Sequence, residues 1–393
     1  MGPLSDIKVL DFTRVLAGPY ATMILGDLGA EIIKIEQPGS GDDSRAFGPY
    51  KNGESGYFMS LNRNKMSLTL NLKKPEGKAI VEKLVTEADV VVENFRPGTM
   101  DRLGLGYGHL KTINPRLIYA ASTGYGQTGP YSQKPAYDGV VQALGGIMSI
   151  TGSEGGQATR VGPSIGDIAA GMFTVIGILT ALHERENSGK GQMVDVAMLD
   201  CQVALLENAI ARYEITGQVP GPIGNRHPSI APFEPFDTST AQIMIAIGND
   251  KLWQTFTSLV GLEFEAPEKF VTNPDRIRNY KELRPYIEAK MKEKTCEEWQ
   301  VILDEAGIPN GPINTIDKVV SDQQILYRNM IQEVDHPVAG KTKIPGIPVK
   351  LSETPGSVRS AAPVLGADTE YILQKYLGMD EGQIAALRKN NVI

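Results

Sequence analysis

The chain has 393 residues, 41% hydrophobic and 22% charged, with a formal net charge of −7. That is enough length and apolar content for a large core or two domains. The acidic balance, without a long basic run, argues against nucleic-acid or anionic-membrane partners. Two distant cysteines, Cys201 and Cys296, exclude a disulfide framework and point to a reducing, cytoplasmic compartment. The four histidines (His109, His183, His227, His336) nowhere fall at metal-ligand spacing, so no metal is expected. The opening MGPLSDIKVLDF has no basic run followed by an apolar one, and no signal peptide is expected.

In chain order, Ile7–Phe12 reads as a short strand, Pro19–Leu28 as a helix ended by Gly29, and the alternating Glu31–Glu36 as a second strand. Lys74–Thr86 is helical with a Pro-Glu start, and Val90–Glu93 and Leu117–Ala121 are further apolar strands. Strands alternating with helices predict an α/β fold with a mostly parallel sheet covered on both faces. Ligands then gather at the carboxyl ends of the strands. The apolar run Ile168–Leu182 falls short of the roughly 20 residues that span a bilayer, and reads as a buried helix rather than a membrane segment. A strand over Met193–Val196 and a helix to about Thr216 follow. The Pro- and Gly-rich stretch Gly217–Asp237 reads as a crossover into a second unit, with strand Gln242–Ile247, helix Asp250–Leu259 and further helices through Ala306. A second irregular stretch, with Pro337, Pro345 and Pro348, leads to C-terminal helices from about Asp368. The domains are therefore expected at 1–216 and 238–326, with a linker at 217–237 and a linker and return over 327–393.

Asp167 stands in RVGPSIGDIAAGMF, directly before the apolar helix. The structural reading is a capping box, Ser164-x-x-Asp167. The chemical reading is a bare carboxylate at a helix start, where glycines let a ligand approach. With a reference pKa of about 3.9, such a nucleophile would be ionised at neutral pH and need no base. The overlapping Gly162-Pro-Ser164-Ile-Gly166 matches a serine nucleophile elbow, yet Gly152–Arg160 before it is polar and glycine-rich rather than a buried strand. Gly104-Leu-Gly106-Tyr-Gly108 is no dinucleotide fingerprint. Gly124–Pro130 follows a strand and suits a ligand loop. Lys34, Lys65, Lys73, Arg96, Arg102 and Lys134 are basic residues near strand ends, and His227 lies in the crossover.

Taken together, these segments resemble the family III CoA-transferases (CaiB/BaiF type), relatives of formyl-CoA:oxalate and carnitine CoA-transferases. The likeness is carried by IKVLDFTRVLAGPYATMILGDLGAEIIKIEQPGSGD, YFMSLNRNKMSLTLNLKKPEG, ADVVVENFRPGTMDRLGLGY, PRLIYAASTGYGQTGPY, AYDGVVQALGG, GDIAAGMFTVIGILTAL, GKGQMVDVAMLD and APVLGADTE, in one order from about residue 6 onward. It implies a large Rossmann-like domain built from both termini, a smaller α/β domain from the middle, and an interlocked homodimer. It also implies that CoA moves from an acyl-CoA to a small carboxylic acid through anhydride and aspartyl-CoA thioester intermediates on Asp167. Acyl-CoA is a substrate here, and no tightly bound cofactor is implied. The implied CoA pocket comprises Leu16, Ala17, Gln37, Leu70, Asn71, Leu72, Lys73, Asn94, Phe95, Arg96, Arg102, Ala136, Tyr137 and Asp138. Lys73, Arg96 and Arg102 would balance its phosphates.

The chain departs from the formyl-CoA members at Leu16 and Gln37, and in NRHPSIAPFEPF, where they carry four glycines. These differences point away from oxalate. Acyl-CoA racemases share the fold, but their G-H-D motif reads Ala136-Tyr137-Asp138 here, and a tyrosine is a poor α-proton base at neutral pH. A non-catalytic CoA-binding protein is the third reading. Donors to the oxyanion would come from backbone near Asp167 or from the Gly248-Asn249 turn.

Overall fold

The computed structural model describes residues 2–393. Six strands make its main sheet: β1 (Lys8–Asp11), β2 (Glu31–Glu36), β3 (Lys65–Thr69), β4 (Val90–Glu93), β5 (Ile118–Thr123) and β6 (Met193–Ala197). They lie in the order β3-β2-β1-β4-β5-β6, and every pairing is parallel. This doubly wound order reverses direction beside β1, so the carboxyl ends of β1 and β4 open a crevice there.

Both faces of the sheet are apolar, which is why β4 reads as a near-continuous hydrophobic run. Val9, Ile32, Val90, Val92, Ile118 and Ala120 pack under α1 (Ala17–Asp27) and the long α4 (Ile165–Ser188). Leu10, Ile33, Ile35, Leu68 and Val91 face α2 (Pro75–Val85) and the C-terminal helices Thr369–Leu377 and Glu381–Lys389, through Ile372, Leu373 and Ile384. The C-terminal segment also closes the outer edge of β3. Asp368 Oδ2 accepts the Ser67 N–H at 2.8 Å, and Thr369 Oγ1 accepts the Thr69 N–H at 3.1 Å, so donors that an edge strand leaves open are satisfied.

The chain divides into two compact units. The first holds 2–147, 160–211 and 323–393, and the second holds 148–159 and 212–322. In the second, a three-stranded antiparallel sheet (Phe233–Asp237, Gln242–Ala246 and Asn310–Pro312) is covered by helices Asp250–Val260, Tyr280–Met291 and Cys296–Glu305. Phe236, Ile243, Ile245, Trp253, Phe256, Leu283 and Leu303 form its core.

Several sequence expectations are corrected. Lys65–Thr69 is a full strand where none was read. Phe233–Asp237, read as crossover, is a strand; Pro235 is tolerated because the strand lies at the edge of its sheet. The irregular stretch before the C-terminal helices folds into the hairpin Ile331–His336 and Gly340–Pro345. The helix expected to run to Thr216 breaks at Glu207, whose φ is +54°. The helix after Asp167 is 24 residues long, longer than its apolar run suggested. By length and composition it could cross a membrane, but Ala169, Ala170, Val175, Ile178, Ala181 and Leu182 are buried in the core.

Candidate active site

Asp167 is the third residue of α4, and the residue before the helix, Ser164, makes no side-chain cap bond. The capping-box reading therefore fails. The acceptor at this helix start comes instead from Asp138, the first residue of α3 (Asp138–Leu144), whose Oδ1 takes the Gly166 N–H at 2.9 Å. Its other oxygen accepts from Gln142 Nε2 at 2.8 Å, and Gln142 Oε1 accepts the Val161 N–H at 2.8 Å. Gly166 is needed for this approach. A Cβ there would lie 2.8 Å from Val141 Cγ2 and 3.1 Å from Asp138 Oδ1.

With the cap supplied by Asp138, the Asp167 carboxylate makes no hydrogen bond among the described residues and lines a cavity of about 200 Å³. Its pKa is pushed up to about 7, first by burial and then by the negative charge of Asp138. A helix N-terminus favours the ionised form, but burial and the neighbouring carboxylate outweigh it. The expectation of a fully ionised aspartate is thus corrected: near neutral pH the group is poised between its two forms. Tyr57 feels this charge too. Its phenol is pushed up to about 12, by burial and then by Asp167, so it stays protonated.

The sequence-derived pocket residues fall on two cavities of the same unit. Leu16, Ala17, Asn94, Phe95, Arg96, Ala136 and Tyr137 line the Asp167 cavity. Gln37, Leu70, Asn71, Leu72, Lys73, Phe95 and Arg102 line a second cavity of about 440 Å³. Lys73 and Arg102 thus share one wall and Arg96 belongs to the other, so the three do not form a single cluster. Asp138 lines neither cavity; it is buried beneath, holding the helix start. Tyr137 is 76% exposed.

Arg14, Asp43 and Phe95 line both cavities. Arg14 pairs with Asp43 at 3.0 Å and stacks on the Phe95 ring, 5.0 Å from its centroid. Its backbone is clamped by Asn94, which accepts the Arg14 N–H at 2.8 Å and donates to its carbonyl at 2.7 Å. The next residue, Val15, has φ +68°, a conformation a β-branched residue adopts only under constraint. That constraint is a buried charge cluster. Asp42 Oδ1 accepts the Val15 N–H at 3.0 Å, and Lys34 Nζ donates to the Thr13 carbonyl at 2.7 Å and pairs with Asp42 at 2.9 Å. Lys65 pairs with Asp11 at 3.0 Å under the same loop. Lys34 and Lys65, read as basic residues near strand ends, are therefore buried supports rather than surface ligands.

Arg14 and Tyr57 escaped the sequence reading, although FTRVLAG and YFMSLNRNK carry them; nothing local marks Arg14 as lining both cavities or Tyr57 as feeling the Asp167 charge. Lys134, noted only as basic, lines the Asp167 cavity. Among the described residues no histidine bonds Ser164, so a serine hydrolase relay has no base there. Asn249 caps Asp250–Val260 in the second unit, its side chain accepting the Leu252 N–H at 2.9 Å.

A family model described as CoA-transferase family III matches residues 4–369. The chain is 42% identical to succinyl-CoA:glutarate CoA-transferase of Mus musculus, over 100% of this chain and 91% of that protein. It is 44% identical to acetyl-CoA:oxalate CoA-transferase of Acetobacter aceti, over 89% and 90%. The crystal structure of a CAIB/BAIF family protein from Brucella suis superposes with TM-score 0.85 at 37% identity, covering 95% of this chain and 99% of that one.

Proposed function

This chain belongs to CoA-transferase family III and is an enzyme of that class, and on that premise we propose that Asp167 carries the acyl and CoA groups during transfer. The observation behind this is a carboxylate lining a cavity with no hydrogen-bond partner and a pKa near 7, at a helix start already capped by Asp138. A structural aspartate at a helix start would spend its oxygens on backbone N–H groups. This one leaves both free.

Ionised Asp167 attacks the thioester carbonyl, the C–S bond breaks, and CoA leaves as thiolate from a mixed anhydride. The thiolate then attacks the aspartyl carbonyl, releasing the donor acid and leaving an aspartyl-CoA thioester. The acceptor carboxylate attacks that thioester, and the two steps run in reverse. Electrons and protons balance without a redox partner, because one thioester replaces another. The protonated Tyr57 phenol, which feels the Asp167 charge, is the donor proposed for a developing oxyanion, where one such bond typically lowers the barrier by about 3–4 kcal/mol.

CoA spans the two cavities in this reading, with Lys73 and Arg102 at its phosphates and the thioester beside Asp167. Arg14 and Phe95 form the threshold between them. The acid is a small carboxylate. The relatives are named for glutarate and oxalate, and succinyl-CoA with a dicarboxylate is the pair to test first. A homodimer is supported by exposed apolar side chains on α3, α4 and the helix Met198–Ala204: Val140, Leu144, Met172, Phe173, Ile176 and Val203. The proposed domain organisation is a large domain with segments from both ends of the chain and a smaller domain from the middle. A cytoplasmic setting is supported by two unpaired, buried cysteines.

The experiment is to incubate the enzyme with succinyl-CoA, quench with hydroxylamine, and map the chain by mass spectrometry. Asp167 should be recovered as its hydroxamate. Turnover with Asp167 unmodified would overturn the mechanism, as would retained transfer in Asp167→Ala.

A further inference from the structure

The second unit has a cavity of its own, of about 160 Å³, lined by Arg212, Arg226, His227 and Tyr280 against an apolar wall that includes Ile223 and Ile230. Two of its polar groups lack what burial normally requires. The Tyr280 hydroxyl is buried without a hydrogen-bond partner in a residue only 8% exposed, and Arg212 Nε is likewise buried and unpartnered. Native structures rarely leave such donors unmatched, and a ligand, an ion or ordered water is what meets them.

The charges around the cavity define that ligand. Arg226 lies over the Tyr280 ring, 5.2 Å from its centroid, and is already paired with Glu154 at 2.9 Å. Glu234, on the neighbouring strand, faces Arg284 at 3.9 Å. Among the described residues the guanidinium of Arg212 has no acidic partner, so the site is short of about one negative charge. His227 is stacked on Phe233 with centroids 5.2 Å apart, and its Nδ1 accepts the Ser229 N–H at 3.1 Å. That fixes the ring hydrogen on Nε2 and gives a third donor. Guanidinium, phenol and imidazole donors beside an aliphatic wall suit a planar monoanion on a short carbon chain.

We infer that this cavity is a carboxylate-binding site for a small aliphatic acid, held by Arg212, Arg226, His227 and Tyr280. The inference does not depend on the chemistry assigned to Asp167, and its test runs in Asp167→Ala so that the two stay separable. Succinate is titrated into that full-length variant by calorimetry, alone and with Tyr280→Phe or Arg226→Gln added. Tyr280→Phe removes one oxygen from a site that keeps its shape, and should weaken binding about three- to tenfold. Arg226→Gln should weaken it by about tenfold or more. Unchanged succinate affinity in Tyr280→Phe, with the fold intact by circular dichroism, would overturn the site. So would inorganic phosphate displacing succinate with equal affinity, since a generic anion hole would then be all that is present. Steady-state kinetics of Tyr280→Phe with Asp167 restored identify the source of the acid. A raised KM for the acid with unchanged KM for acyl-CoA means the substrate acid binds here, whereas a changed kcat at saturating substrates means a separate effector does.

Discussion

Replacing Asp167 by Asn should stabilise the protein while abolishing its activity, and the size of that gain should depend on pH in a way the site dictates. Asn matches the protonated aspartate in shape, so the packing of the cavity is kept. The folded-state pKa is raised from 3.8 to about 7, so the folded protein binds this proton more tightly than the unfolded chain does. Wild-type stability is therefore fully present below the unfolded value and falls as pH rises through the window from 3.8 to about 7. At about 1.4 kcal/mol per unit, the full loss is on the order of 4 kcal/mol above pH 7, of which a little over a third is already lost at pH 5. The Asn variant has no such group. The difference in unfolding free energy between the two should thus grow by about 3 kcal/mol between pH 5 and pH 8. Urea denaturation at a series of pH values measures it directly. A difference that stays flat across that range, or that shrinks as pH rises, would refute the claim that burial and Asp138 hold the Asp167 proton.

Single-turnover acylation of Asp167 should rise about tenfold per pH unit below 7 and level off above it, because only the ionised form attacks; a rate already flat from pH 5 would contradict this. Lys73→Ala and Arg102→Ala should each raise the KM for acyl-CoA by about tenfold, leaving the KM for the acid unchanged, if they face the phosphates as proposed. Gly166→Ala should destabilise the fold by roughly 1–3 kcal/mol and slow transfer, since its Cβ meets Val141 and Asp138; thermal melts and initial rates report both. Ile176→Asp, on an exposed apolar face, should shift the proposed dimer toward monomer in light scattering.

Much of the first unit was legible because its strands are buried on both faces. Val90–Glu93 is an apolar run and Glu31–Glu36 an alternating one, each of strand length, and their bounds in the structure match the pattern. Lys65–Thr69 was not legible. Its Lys65 and Ser67 are buried polar residues whose partners, Asp11 and Glu36, lie on other strands. Phe233–Asp237 and the hairpin after Asn329 were hidden by prolines, which mark a break in the ladder but do not say whether the break falls at an edge. Asp167 could be singled out from its motif, whereas its protonation could not. That depends on burial and on Asp138, a residue of a different helix. The same limit hid Arg14, whose place between two cavities is set by Asn94, 80 residues away.

The closure of β3 by Asp368 and Thr369 has a consequence for biosynthesis. The edge and its seal are separated by 300 residues. At ribosomal speeds of about 5–20 residues per second, the nascent edge waits roughly 15–60 s for its cover to be made. During that interval the first unit lacks Ile372, Leu373 and Ile384 from its core, while the whole second unit has already emerged. Maturation of this enzyme is thus gated by the segment that begins at Asp368, and a chain stalled before it presents an open strand to any chaperone or aggregate at hand.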